Sequence, residues 1–141
     1  MINERITLIR EMLNLSQREL AEELQISKST YARWETGEKI IPLPHLVDLC
    51  NLSGRSLDYV LGLNNDRSIT NNKLKIDNQA IGNKLKKIRI KNNESQEEIA
   101  DFLQCTQSVI SEYENGITLI QTSFLLQLCN KYNISADTLL S

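Results

Sequence analysis

The chain has 141 residues, 40% apolar and 24% charged, and its 16 lysines and arginines against 18 aspartates and glutamates leave a formal charge of −2. That balance fits a soluble globular protein, and no apolar run approaches the ~20 residues of a membrane span. Met1-Ile2-Asn3-Glu4-Arg5 has no signal-peptide core, so a cytoplasmic location is expected.

Reading from the N-terminus, Ile6, Ile9 and Leu13 give one apolar face at i, i+3 and i+7, a first helix expected to end near Asn14. Ser16-x-x-Glu19 is a capping box, in which the serine oxygen accepts from the Glu19 amide and the glutamate reaches back to the Ser16 amide. A second helix therefore starts at Gln17, with Leu20, Ala21 and Leu24 on its inner face. Gln25-Ile26-Ser27 is too short for anything but a turn. Ser27 can cap a third helix, Lys28 to Glu35, and Gly37 lies near the position beyond a helix end that favours positive φ. Pro42 fits the first turn of a fourth helix through Leu46, Leu49 and Cys50. Ser56 caps a short fifth, with Asp58 near its positive end.

After the fifth helix, Leu63 to Asn78 is rich in Asn, Asp, Lys and Ser. As a coil of about 16 residues it would span ~20 to 24 Å on average and ~50 Å fully extended, against about 34 Å between adjacent major-groove faces. Ile69, Leu74 and Ile76 could instead dock it on a neighbouring fold.

Beyond this segment the chain repeats itself. Arg10 to Leu61 and Arg89 to Leu140 align without a gap at a constant offset of 79, and about a third of the aligned positions are identical. Ser95-x-x-Glu98 is again a capping box, Thr106 stands where a cap for the third helix is expected, and Gly116 marks its stop. The reading is an all-α protein of two five-helix domains, residues 1–62 and 79–141, joined by a polar linker, residues 63–78. In each, the middle helices are joined by a three-residue turn, the arrangement whose second helix enters a DNA major groove.

The inventory of reactive groups is thin. Three cysteines, an odd number, argue against a disulfide framework, and Cys50 and Cys129 hold equivalent places on an apolar face, where buried thiols are expected. His45, the single histidine, sits between Pro44 and Leu46 near a helix start and reads as a solvated side chain. With no Gly-rich phosphate loop, nucleophile elbow or metal-ligand spacing, neither catalysis nor a metal or other cofactor is expected.

From Ser16 to Gly37 the chain reads Ser-Gln-x-x-Leu-Ala-x-x-Leu-x-x-Ser-x-x-x-Tyr-x-x-Trp-Glu-x-Gly, followed by Pro42 and by Ser56 to Leu61. This stretch, and the one from Ser95 to Gly116, resembles the Cro and lambda-repressor type of helix-turn-helix domain, the xenobiotic-response-element family. The resemblance implies a lambda-repressor-like fold used twice, a transcriptional regulator acting as a repressor, and double-stranded DNA as partner. It places Gln17, with Gln96 as its equivalent, at the start of the second helix against the DNA backbone. It also places Lys28, Ser29 and Arg33 on the outer face of the third helix. Arg33 can give a bidentate pair to guanine, Lys28 can reach a guanine edge or a phosphate, and Ser29 can serve either. Thr36 and Lys39 read as phosphate contacts. Tyr31 reads as core. Arg10 with Glu35, and Arg89 with Glu114, are implied as structural ion pairs.

The second repeat departs on its outer face: Arg33 becomes Glu112, Lys28 becomes Gln107 and Lys39 becomes Thr118. From Asn92 onward Lys131 is the one basic residue against seven acids, whereas Arg67 to Lys91 holds eight basic residues against Asp77 alone. That basic stretch, including Lys84, Lys86 and Lys87, is either a solvated face or a track along DNA backbone, with Gln107 and Ser108 keeping some base contact. The second domain accordingly reads as a homodimerisation or protein-partner module, or as a head for a second half-site. The alternative function is an antitoxin-like module that neutralises a partner protein and binds DNA to regulate itself.

Overall fold

The computed structural model describes residues 1–71 and 73–141; Asn72, within the segment read as a linker, lies outside them. All regular structure among the described residues is helical. The chain divides into unit 1, Met1–Leu74, and unit 2, Lys75–Ser141, a division that falls inside the 63–78 segment. No helix among the described residues is long and apolar enough to cross a membrane.

Unit 1 contains α1 (Ile2–Met12), α2 (Gln17–Glu23), α3 (Lys28–Thr36), α4 (Leu43–Ser53) and α5 (Leu57–Val60). At α2, α3 and α5 the caps are those read from the sequence. Ser16 and Glu19 exchange both bonds of the capping box, at 3.1 and 2.9 Å. Ser27 accepts from the Thr30 amide and Ser56 from the Tyr59 amide. α3 stops at Gly37, whose φ of 84° is the left-handed conformation that glycine adopts without a Cβ clash. Pro42 is the cap residue just outside α4, and it is Pro44 that stands in the first turn.

The core of unit 1 is Ile6, Ile9, Leu20, Tyr31, Leu46, Leu49 and Leu57, all 0% exposed, closed by Trp34 edge-on to Tyr31. His45 departs from its expected solvated place. Its ring lies 5.3 Å from that of Trp34, half-buried. At the equivalent place in unit 2, Phe124 packs on Tyr113. The site is an apolar one on both occasions, so His45 serves as a flat ring that extends the core.

The segment after α5 folds back on unit 1 instead of forming the free coil its composition suggests. Arg5 donates to the Tyr59 and Asn64 carbonyls and to Asn65 Oδ1, with its guanidinium over the Tyr59 ring. The Arg55 guanidinium donates to the Arg67 carbonyl, and the Thr70 amide to the Gly54 carbonyl at 2.9 Å. A Cβ at Gly54 would come within 2.7 Å of Ile69, so the strap's approach needs glycine there. Asn51 then clasps Leu74 twice, donating to its carbonyl at 3.1 Å and accepting from its amide at 2.9 Å, while Lys73 reaches the Asn51 carbonyl.

Unit 2 repeats the order with α6 (Asn78–Lys91), α7 (Gln96–Leu103), α8 (Gln107–Glu114), α9 (Thr122–Tyr132) and α10 (Ala136–Leu139). Its capping box at Ser95 and Glu98 forms as expected, but Thr106 makes no side-chain cap bond and the start of α8 rests on its backbone turn. α6 crosses the end of α8 at Gly82, where any Cβ would collide with the Tyr113 carbonyl oxygen. Where unit 1 fills its centre with Tyr31, unit 2 has Ile110 and a cavity of about 20 Å³ beside it, room for about one water.

Candidate nucleic-acid interface

In each unit an ion pair ties the first helix to the end of the third, and a glutamine brings the second helix into the same network. Arg10 meets both oxygens of Glu35 at 2.7 and 3.2 Å and also donates to the Leu15 carbonyl. Gln17 Nε2 donates to Glu35 Oε1 at 3.1 Å. Unit 2 repeats the set: Arg89 meets Glu114 at 2.6 and 2.9 Å, and Gln96 donates to Glu114 Oε1 at 3.0 Å. These charges are withdrawn from water, with side-chain exposures of 17% and 7% for Arg10 and Glu35 and 14% and 4% for Arg89 and Glu114. Burial works to raise the Glu35 pKa, but Arg10 foremost, with Tyr31 and Gln17 beside it, outweighs burial, and the carboxyl is held below its ordinary value.

That frame fixes which side of α3 faces outward. Tyr31 and Trp34 point to the core, and Lys28, Ser29 and Arg33 are exposed together, as residues one, four and five apart on a helix must be. Gln17 is half-buried at the start of α2 with its amide nitrogen committed to Glu35. Ser29 Oγ lies 3.2 Å from Ser27 Oγ. At the end of α3, the Thr36 hydroxyl donates to the Arg33 carbonyl and accepts from the Glu38 amide, and the Lys39 amide returns to the Arg33 carbonyl. This turn brings in a residue that sequence reasoning does not single out. Glu38 Oε2 lies 3.4 Å from Arg33 Nε, with the two side chains 58% (Arg33) and 61% (Glu38) exposed. The only signal for it in the sequence is an acid five residues after an arginine across a glycine.

In unit 2 the outer face of α8 carries Gln107 and Ser108, both exposed, and Glu112, half-buried, in place of Arg33. Gln107 Nε2 donates to Gln96 Oε1 at 3.2 Å, which continues the network from the outer face through Gln96 to Glu114 and Arg89. The lone basic residue of the acidic stretch, Lys131, is spent internally on Glu94 at 3.4 Å and over the rings of Phe102 and Tyr132.

The basic stretch is less free than its composition implies. Lys73 is held on Asn51, Arg89 is in its ion pair, and Lys84 Nζ donates to main-chain oxygens of Thr138 and Ser141 at 3.0 Å each. Lys86, Lys87 and Lys91 on α6 are exposed.

Both halves of the chain match known families. Residues 6–60 match a family model described as helix-turn-helix, and residues 82–141 match a second, described as helix-turn-helix domain. The chain is 40% identical over 63 residues to an uncharacterized HTH-type transcriptional regulator, YobD of Bacillus subtilis, covering 45% of this chain and 56% of that relative's length. It is 30% identical over 103 residues to the cryptic phage CTXphi transcriptional repressor RstR of Vibrio cholerae, covering 73% of this chain and 84% of the relative. No solved structure gives a significant match.

Proposed function

The chain belongs to the helix-turn-helix family of DNA-binding transcriptional regulators, and from that premise we propose that it is a sequence-specific repressor whose two units have divided the work. Unit 1 reads DNA by laying α3 in the major groove. Arg33, Lys28 and Ser29 meet base edges, and Thr36, Lys39 and the start of α2 at Gln17 meet phosphates. The observation that carries this reading is the outward cluster of Lys28, Ser29 and Arg33 on α3. The name of the relative RstR supports repression.

Unit 2 is assigned chiefly to assembly. Glu112 stands where unit 1 has Arg33, and phosphates repel a face poor in basic residues. A homodimer through unit 2 would present two copies of unit 1 to a palindromic site. Sedimentation and footprinting of the full chain, and of a chain ending after Leu74, test this. The full chain should be dimeric and the shortened one folded, monomeric and weaker on a full site because its second head is no longer tethered. A full chain that stays monomeric at micromolar concentration on and off DNA, with a footprint shifted by Gln107→Ala, makes unit 2 a second reading head instead.

Lys86 and Lys87 are assigned a sequence-independent share of the affinity, and Lys84 is left out because it holds the end of unit 2. Neutralising Lys86 and Lys87 together should weaken binding to every sequence alike. The slope of log K against log salt should flatten by up to about 0.9 for each phosphate that the lysines no longer neutralise. An unchanged slope would mean that these lysines only solvate α6.

A further inference from the structure

We propose that Glu38 is a specificity-determining positioning residue that holds the Arg33 guanidinium in the orientation in which it reads a guanine; the inference rests on the reading of Arg33 given above.

The geometry is carried by the turn that ends α3. Gly37 at φ 84° reverses the chain. The Thr36 hydroxyl then bridges the Arg33 carbonyl and the Glu38 amide at 3.1 and 3.3 Å. Lys39 closes the turn with its own amide on the Arg33 carbonyl at 3.2 Å. Three bonds thus fix the backbone of Glu38 relative to that of Arg33, and the carboxylate comes to rest 3.4 Å from Nε. An arginine pairs with guanine O6 and N7 through two parallel N–H groups. With the carboxylate on the Nε side, the edge formed by the two Nη atoms is left open for that pairing. The carboxylate also limits the rotamers that a long exposed side chain would otherwise sample.

In unit 2 neither residue is present: Glu112 stands for Arg33, and Ile117, 66% exposed, stands for Glu38.

A carboxylate beside a DNA-reading helix also repels phosphate, and this opposition makes the proposal testable. The probe is a duplex enriched by the full chain from a randomised pool, with its single-base-pair variants, and an unrelated duplex for non-specific binding. Glu38→Gln removes the charge. It should strengthen non-specific binding while reducing discrimination about two- to five-fold at one base pair, the scale of an exposed charge pair. In an Arg33→Ala background the same change should raise non-specific binding and leave discrimination untouched. If Glu38→Gln raises specific and non-specific affinity equally, or changes discrimination just as much without Arg33, Glu38 is a bystander charge and the proposal falls. If Arg33→Ala by itself alters neither affinity nor preference, or if the pool yields no enriched sequence, the reading of Arg33 falls first and takes the inference with it.

Discussion

Glu35→Ala should destabilise unit 1 by about 3–5 kcal/mol, the cost of removing one partner from a buried ion pair and leaving the other uncompensated. Arg10 would lose its carboxylate partner while keeping the Leu15 carbonyl, and Gln17 would lose the acceptor that holds its amide inward. The loss is a large part of the total stability of a domain of this size. It is readily isolated, because the chain's single tryptophan, Trp34, is buried in unit 1 and reports on that unit. The transition followed by Trp34 fluorescence should fall by roughly 10 °C or more. Glu114→Ala should leave the same signal where it was. A Trp34 transition unmoved by Glu35→Ala would show that the pair is not what holds α1 to α3. The sign with pH follows from the depressed Glu35 pKa: its contribution is complete above the ordinary glutamate value and is lost as the pH falls through the lowered one. Acid should therefore loosen unit 1 in the wild type and much less in Glu35→Ala.

Arg33→Ala should act on binding and leave stability alone, since Arg33 is exposed and its partner Glu38 is exposed with it. The expected cost on the enriched duplex is about 1–3 kcal/mol, with preference relaxed at one base pair and kept at the others. Lys39→Ala, at a residue assigned to phosphate, should instead weaken all sequences evenly. A titration of each variant against the enriched duplex and its single-pair mutants separates the two patterns. Unchanged affinity and preference in Arg33→Ala would remove α3 of unit 1 from the role assigned to it.

What the sequence disclosed was whatever depends on near neighbours or on repetition. The capping boxes at Ser16 and Ser95 are legible because donor and acceptor lie three residues apart, and Gly37 because a glycine just past an apolar-patterned helix marks its left-handed stop. The pairs of Arg10 with Glu35 and Arg89 with Glu114 span 25 residues, and only the family resemblance and their recurrence at one spacing brought them out. Docking of the segment after α5 is legible as one of two readings, but not its means: Ile69 and Ile76 are exposed, and most of the bonds that hold the segment run from backbone atoms, which carry no signature in residue types. His45 misled because a lone histidine between a proline and a leucine looks like surface until Phe124 is seen in the same place in the other unit. Lys84 counts as basic charge by composition, but its ammonium is folded onto main-chain oxygens of Thr138 and Ser141. Glu38 is silent in the sequence because its meeting with Arg33 requires a chain reversal that periodicity does not describe.

The clasp of Asn51 on Leu74 also says where this protein can be cut and rejoined. Because Leu74 is itself held to unit 1, a foreign domain spliced after that residue should leave the first fold intact. A splice made after Leu61, at the end of α5, would strip Arg5, Asn51, Gly54 and Arg55 of partners they have in the whole chain. A seam at Leu74 is the kind that lets a duplicated gene segment be added, dropped or exchanged without first having to repair its neighbour.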